Sequence, residues 1–294
     1  MTLRMGLAGT GYWADVTHAA AVGDAPSWEL TAVWGRDASR AAELAARHDA
    51  RHAGDDFDAF LAQVDAVTFA IPPHVQSELA LRAVQAGKHV ALEKPVALDP
   101  AAAHRLVEAA EAHDVATVVM FTMMYDPRMR AIVDETRAGR HWTGGAGLWL
   151  GSALSDDNPF NTPWRHEELP IWDVGPHAVA ALWCTVGPIV DVLSAVYEDD
   201  MMHVVFAHEG GRTSSCSMTL RAPDAADGFS TLVWGDSGRL ELPVDDVDSR
   251  ASFATAYEEL AELIRTGERH HDYDVRFGTR IVEVSALAQD RIRR

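Results

Sequence analysis

The chain of 294 residues predicts an α/β domain on a parallel sheet, followed by an α+β domain with a large, mostly antiparallel open sheet. Three observations carry this expectation. From Leu3 to about Phe121 short apolar runs alternate with helical patterns, the grammar of βαβ units. Beyond a helix near 127–138 the strand-like runs follow one another without helices between them, which implies antiparallel pairing. The first apolar run ends in a glycine pattern, Gly9-x-Gly11-x-x-Ala14, at the place where a strand turns into a helix.

In chain order, the first half reads LRMGLA then a helix over 11–23, WELTAVWG then 37–48, DAVTFAI then 74–86, KHVALE then 99–113, and finally VATVVMF. Asp37 precedes an Ala-rich stretch as a helix N-cap, and Asp99-Pro100 opens the next with an N-cap and a proline at N1. The domain boundary falls near 122, giving domains over 1–122 and 123–294. The second half offers GAGLWLGS, IVDVLSAVYE, MMHVVFAHE, RTSSCSMTLRA, FSTLVWG and GRLEL. Gly210-Gly211 between two of these runs marks a tight hairpin. Segment 151–171 is turn-rich, and a long loop in a compact domain is more often functional than idle. Val275, Ile281, Val282, Val284 and Ala288 give 275–291 a helical period, and this helix is expected to pack back on the rest, the first domain included.

Composition narrows the class. With 48% apolar residues the chain has the material for two cored domains. Against 25 basic residues stand 44 acidic ones, a formal charge of -19, which argues against nucleic acid or an anionic membrane as partner. Cys184 and Cys216 are too few for a disulfide framework and lack metal-like spacing. No charged and apolar leader precedes Leu3, and no apolar run approaches the roughly 18 residues of a membrane span. A cytoplasmic protein is expected.

The glycine pattern has a physical meaning. Gly9 allows a tight turn, Gly11 lets bare backbone N–H groups approach a pyrophosphate, and Ala14 lets the helix pack close to the sheet. The helix N-terminus then faces negative charge. Thr10, Tyr12 and Trp13 share this loop. An ordinary strand-to-helix turn is the bland alternative. At the end of the second strand an acid usually binds both ribose hydroxyls of NAD; here Gly35-Arg36 stands instead, and the planar guanidinium of Arg36 suits the 2′-phosphate of NADP. NADP is therefore favoured over NAD, with Asp37 as the counter-argument.

Two further constellations invite chemistry. Glu93-Lys94-Pro95 ends a parallel strand, where such sheets bind ligands, and Pro95 restricts Lys94 to extended geometry. On composition alone Lys94 is a solvated loop lysine. Asp173 and His177 stand at i and i+4, sharing a face if a helix starts at Asp173; the simple alternative makes Asp173 an N-cap, with Pro176 in the first turn. Trp164-Arg165 offers an aromatic wall and a hydroxyl- or carboxylate-binding fork, or merely a packing tryptophan beside a surface arginine. His270-His271 near Asp272 and Asp274 reads as a solvated loop, and no metal site is expected.

Taken together, Gly9-x-Gly11-x-x-Ala14, Ala32-Val33-x-x-Arg36-Asp37, Ile71-Pro72-Pro73, Ala86-Gly87-Lys88-His89-Val90, Glu93-Lys94-Pro95, Trp164-Arg165 and Asp173-x-Gly175-x-His177 resemble the glucose-fructose oxidoreductase / inositol dehydrogenase / rhizopine-catabolism (Gfo/Idh/MocA) family. The resemblance implies a Rossmann domain, a second domain whose sheet packs subunits into a homodimer or homotetramer, and NAD(P)-linked oxidation or reduction of sugar-like secondary alcohols and ketones. It sets Lys94, Asp173 and His177 on the catalytic positions. The implied cofactor set is Gly9, Thr10, Gly11, Tyr12, Trp13, Arg36, Ile71, Pro72, His74, Glu93 and Lys94; the substrate set is Lys94, Trp164, Arg165, Asp173 and His177. Departures cluster on the substrate side: Glu167-Glu168-Leu169-Pro170-Ile171 replaces a Gly-rich stretch, Ala180 an acid or amide, Met123-Met124 a polar residue and an arginine, and Gln76 a histidine.

The chemistry follows from hydride transfer, in which the cofactor carries only the hydride. His177, with an ordinary pKa of about 6.5, can take or give the hydroxyl proton. Lys94 can polarise the same oxygen. The expected substrate is a sugar, cyclitol or related polyol or keto compound. Two rivals remain: a lyase or glycosidase that retains its nucleotide and uses transient oxidation, and a catalytically silent nucleotide-binding regulatory protein.

Overall fold

The protein was analysed as a computed structural model, which describes residues 2–292. The described chain divides into two compact units, one comprising the chain up to Met120 together with Asp248–Thr279, the other Phe121–Val247 with the residues from Arg280 onward.

The first unit is built on β1 (Leu3–Ala8), β2 (Trp28–Trp34), β3 (His52–Gly54), β4 (Ala66–Phe69), β5 (His89–Leu92) and β6 (Thr117–Val119). Their order is β3-β2-β1-β4-β5-β6 and every pair is parallel, the two βαβαβ halves of a doubly wound sheet. Such strands are buried on both faces and read as continuous apolar runs; Met5, Leu7, Ala66, Val67, Phe69, Val90, Ala91 and Leu92 are all fully buried. The crossovers are α1 (Ala20–Asp24), α2 (Ala38–Arg47), α3 (Phe57–Leu61), α4 (Pro73–Gln85) and α5 (Pro100–Ala112). Asp37 caps α2 by accepting from the amides of Ser39 and Arg40 at 2.9 and 3.2 Å. Asp99 caps α5 through Ala102 at 2.9 Å.

Two features of this unit depart from expectation. The helix expected over 11–23 opens with a π-type turn, Ala14–Ala19, before α1. An 18-residue helix near the end of the chain, labelled α9 below, was not anticipated and belongs to this unit.

The second unit holds α6 (Pro127–Arg137), β7 (Trp142–Leu150), α7 (Pro163–Glu167), α8 (Gly175–Val186), β8 (Ile189–Glu198), β9 (Met201–His208), β10 (Thr213–Thr219), β11 (Gly228–Gly235) and β12 (Gly238–Glu241). Their sheet runs β12-β11-β7-β10-β9-β8, parallel only between β7 and β10. Gly210 and Gly211, both at positive φ, turn the chain between β9 and β10. One face of the sheet is covered by α8, so closely that a Cβ on Gly145 would lie 2.7 Å from Leu182. On the other face the register sets Val196, His203, Ser217 and Leu148 in one cross-strand row. Val196, Leu148 and Trp234 on this face are 53%, 44% and 40% exposed, large apolar side chains standing open among polar ones such as His203 and Ser217.

Then come α9 (Ser249–Thr266) and α10 (Val275–Ile292). Asp248 caps α9 through the Ala251 amide at 3.0 Å, and Gly267 at φ 77 ends it. Within the first unit the Trp28 indole donates to the Tyr257 carbonyl at 2.7 Å, and Glu258 accepts from Ser27 through both carboxylate oxygens. The start of α10 is tied to β6 by the Val275 amide on Thr117 Oγ1 at 3.1 Å. Its later turns belong to the second unit, where Trp172 donates to Gln289 at 2.6 Å. Among the described residues no helix is long and apolar enough to cross a membrane.

Candidate functional site

In the first unit the chain leaves β1 at Gly9, whose φ of 136 and whose approach to Ala70 leave no room for a side chain: an added Cβ would lie 2.4 Å from the Ala70 carbonyl oxygen. The requirement for glycine here is therefore both conformational and steric. Gly11 differs. It is exposed, and a Cβ placed there would meet nothing within 4 Å, so the backbone at the start of the helix is open to a ligand. Thr10 is half-buried, Tyr12 exposed and Trp13 half-buried. This open turn at a helix start is the cradle that a pyrophosphate fits.

Arg36 and Asp37 follow β2 and are exposed. The Asp37 carboxylate is engaged by the helix it caps. Arg40, one turn on, reaches the Thr10 carbonyl at 3.2 Å, which places a second guanidinium beside the glycine loop that the sequence reading missed. Ile71 and Pro72 are half-buried after β4, and His74 is exposed in the first turn of α4.

Glu93 is the hub of the strand-end segment. Its Oε1 accepts from the Trp13 indole at 2.7 Å and faces His18 Nε2 at 3.3 Å, while its Oε2 accepts from the Lys94 amide at 3.0 Å. Burial works against ionisation of Glu93, but His18, Lys94 and Trp13 outweigh it and hold the carboxyl below the usual carboxylate range. Gln76, noted in the sequence only as a departure, is fully buried and braces the segment: it accepts from the Glu93 amide at 2.9 Å and donates to the carbonyls of Glu93 at 2.7 Å and Pro95 at 3.2 Å. The Lys94–Pro95 peptide is cis. Behind Glu93 lies a second layer absent from the sequence reading, made of His18, Thr68, Phe253 and Tyr257. Burial keeps the Tyr257 phenol protonated well above its ordinary range, with Thr68 opposing the shift and the Glu93 charge adding to it.

In the second unit, Asp173 is 5% exposed and forms an ion pair with Arg165, Nε to Oδ2 at 2.6 Å and Nη2 to Oδ1 at 3.3 Å. The simple alternative, in which Asp173 caps the following helix, does not hold: α8 starts at Gly175, its N-cap is Val174, and no side chain caps it. Arg165 also donates to the Phe160 carbonyl and Thr162 Oγ1, both at 3.0 Å, and its guanidinium lies 4.5 Å from the Trp164 ring centre. It is thus a clasp within the 151–171 segment, which is less irregular than expected because it contains α7 and a 3₁₀ turn, Pro170–Trp172. Trp164 is buried.

His177, half-buried in the first turns of α8, stands between two aromatic rings. It stacks near Trp149 at 6.2 Å and 12°, and meets Phe121 edge-on at 6.5 Å. Phe229 stacks on Trp149 at 4.8 Å, and the Trp149 indole donates to buried Thr231 at 3.1 Å. The imidazole therefore sits against an aromatic wall. Met123 and Met124 are buried in a 3₁₀ turn. Among the described residues no group of three or more His, Cys, Asp or Glu is placed to hold a metal ion.

A parallel sheet in this order, with a glycine turn at the end of its first strand, defines a dinucleotide-binding protein of the Rossmann class joined to an open-sheet unit. Residues 3–121 match the family model of the Gfo/Idh/MocA proteins, described as an oxidoreductase family with an NAD-binding Rossmann fold. Over these residues, less than half of the chain, it is similar to this family. It is 31% identical over 139 residues to 4-carboxy-2-hydroxymuconate-6-semialdehyde dehydrogenase of Sphingobium sp., covering 47% of this chain and 44% of that protein. It is 32% identical over 132 residues to scyllo-inositol 2-dehydrogenase (NADP(+)) IolU of Bacillus subtilis, covering 44% and 40%. These matches thus span less than half of either relative. The fold is shared more widely: UDP-N-acetylglucosamine 3-dehydrogenase GnnA of Acidithiobacillus ferrooxidans superposes with a TM-score of 0.82 over 99% of this chain and 98% of that one, at 21% identity.

Proposed function

We propose that the protein is an NAD(P)-dependent oxidoreductase that interconverts a secondary alcohol and a ketone on a sugar, cyclitol or related polyol. The observation that carries this reading is the open glycine turn at Gly9 and Gly11, beside a strand end where the Glu93 carboxylate is held by Trp13, His18 and the Lys94 amide. The family match supports it, as do the inositol and amino-sugar dehydrogenases among the similar proteins.

When bound, the nicotinamide supplies or accepts the hydride. The chain's own part is the proton and the oxygen. On oxidation the carbinol hydroxyl gives its proton to His177, whose ring the Trp149 and Phe121 walls orient. The resemblance gives the Lys94 ammonium the role of stabilising charge on the substrate oxygen. Thr10, Gly11, Tyr12 and Trp13 hold the pyrophosphate. NADP is the favoured nucleotide: Arg36 and Arg40 present two cations near the ribose end, and Asp37 is occupied as a helix cap. Asp173, tied to Arg165, shapes the substrate side. The open face of the second sheet is proposed to pair with a second copy of the chain, giving a dimer or tetramer.

The test is direct. NADPH and NADH are titrated separately against purified protein, and a panel of polyols and keto-sugars is screened for turnover. Tight nucleotide binding with turnover lost in Lys94→Ala and His177→Ala, but binding retained in both, is the expected result. Binding of neither nucleotide overturns the reading; near-normal turnover in both variants removes the two residue assignments.

A further inference from the structure

The core of the first unit holds a histidine that the proposed chemistry does not use. His18 is fully buried, and burial of an imidazole is costly unless both ring nitrogens find partners. Both do. Nδ1 lies 2.9 Å from Thr68 Oγ1 and 3.1 Å from the Tyr257 hydroxyl, and these two hydroxyls are 3.0 Å apart. Nε2 faces Glu93 Oε1 at 3.3 Å. Phe253 meets the ring edge-on at 4.8 Å.

We propose that His18 is a positioning residue of the nucleotide half: it fixes the Glu93 carboxylate between the Trp13 indole and the Lys94 amide, while Thr68 and Tyr257 fix His18. For its catalytic consequence the inference rests on the proposed oxidoreductase reading; its geometry stands without it.

The protonation pattern follows from donor and acceptor roles. An ionised carboxylate only accepts, so Nε2 must carry a proton toward Glu93. Hydroxyls can donate as well as accept, so Thr68 and Tyr257 satisfy Nδ1 and fix the ring orientation. The backbone contributes too. A π-type turn brings residues five apart into register, where an α-helix aligns those four apart. The turn Ala14–Ala19 follows directly on Trp13, and Trp13 and His18, five apart, both reach the same Glu93 oxygen. Glu93 in turn receives the Lys94 amide, so the direction in which the Lys94 segment leaves β5 depends on a carboxylate held from behind. The titratable groups acting on Glu93 are His18 and Lys94, and its charge is felt at Tyr257.

The experiment follows the indole N–H resonance of Trp13 in the full-length protein with ¹⁵N-labelled tryptophan, assigned with Trp13→Phe, and measures NADPH binding alongside. His18→Leu is expected to move the Trp13 resonance and to weaken NADPH binding about tenfold. Glu93→Gln moves the resonance as well, and the double variant moves it no further than Glu93→Gln alone, since His18 acts through Glu93. His18→Gln, which restores a side-chain N–H donor, recovers most of both signals. Additive shifts in the double variant, or wild-type resonance and affinity in His18→Leu, overturn the proposal. Should His18→Leu fail to fold, Tyr257→Phe keeps the packing and removes one hydroxyl; it is expected to shift the same resonance less and in the same direction, and an unmoved resonance overturns the proposal. If the wild-type protein binds neither NADPH nor NADH, the oxidoreductase reading falls, and the resonance still decides whether His18 holds Glu93.

Discussion

Arg165 grips both oxygens of Asp173, Nε to Oδ2 at 2.6 Å and Nη2 to Oδ1 at 3.3 Å, so this acid anchors the preceding segment. Removing the guanidinium takes a two-point ion pair away from a carboxylate that is 5% exposed. Arg165→Ala is expected to cost about 3 kcal/mol of stability, read as a lower denaturation midpoint. Arg165→Lys recovers only part, because an ammonium cannot reproduce the two-point fork. An unchanged midpoint in Arg165→Ala would show that the pair is not anchoring anything.

The nucleotide preference tests the cationic pair beside the glycine loop. Arg36→Ala is expected to weaken NADPH binding by about tenfold or more while leaving NADH nearly unchanged, with a smaller NADPH-selective loss in Arg40→Ala. Fluorescence titration at fixed ionic strength measures both. Equal losses for the two nucleotides would assign Arg36 to the shared part of the cofactor.

Acid stability carries the mark of His89. Burial first, and Arg269 second, lower its pKa to about 4, against the opposing charges of Asp114 and Asp65; its Nδ1 accepts from the Ala116 amide at 2.9 Å. Between about 6.5 and about 4 the unfolded imidazole takes up a proton that the folded one refuses, so this group lowers stability as pH falls through that window. Equilibrium unfolding of the wild type should show the slope, and His89→Asn should flatten part of it. A histidine resonance for His89 that titrates near 6.5 in the folded protein would contradict the assignment.

The exposed row across the second sheet predicts self-association. Light scattering is expected to report a dimer or tetramer, and Leu148→Glu combined with Val196→Glu should shift it toward monomer without unfolding the chain. A wild-type protein that stays monomeric at high micromolar concentration would remove the proposed pairing.

Legibility in the sequence tracked the range of the physics. The parallel strands are legible because β1, β4 and β5 are short, mostly apolar runs, and the caps at Asp37 and Asp99 are local signals. β3, with three residues, and α3, with five, are too short to show a period. The signals for α9 lie in Asp248, in Gly267 and in the spacing of Phe253, Ala256, Tyr257 and Leu260, directly after a run of strands that masks the change of period. The brace of Gln76, the clasp of Arg165 and the layer behind Glu93 join residues distant in the chain or hidden in a turn-rich segment. No periodicity reports such pairs; only the folded backbone brings Thr68 and Tyr257 to one imidazole.

Because α9 contributes Phe253 and Tyr257 to the first unit, the order of synthesis constrains when that unit can mature. A ribosome that has delivered every strand of the parallel sheet has still not delivered the helix that completes its interior, and the whole second unit up to Val247 must emerge first. Closing such a sequence-distant contact is entropically costly and slow. The nascent nucleotide half therefore waits, while the second unit up to Val247 is made, with an apolar flank uncovered, the kind of species that chaperones engage.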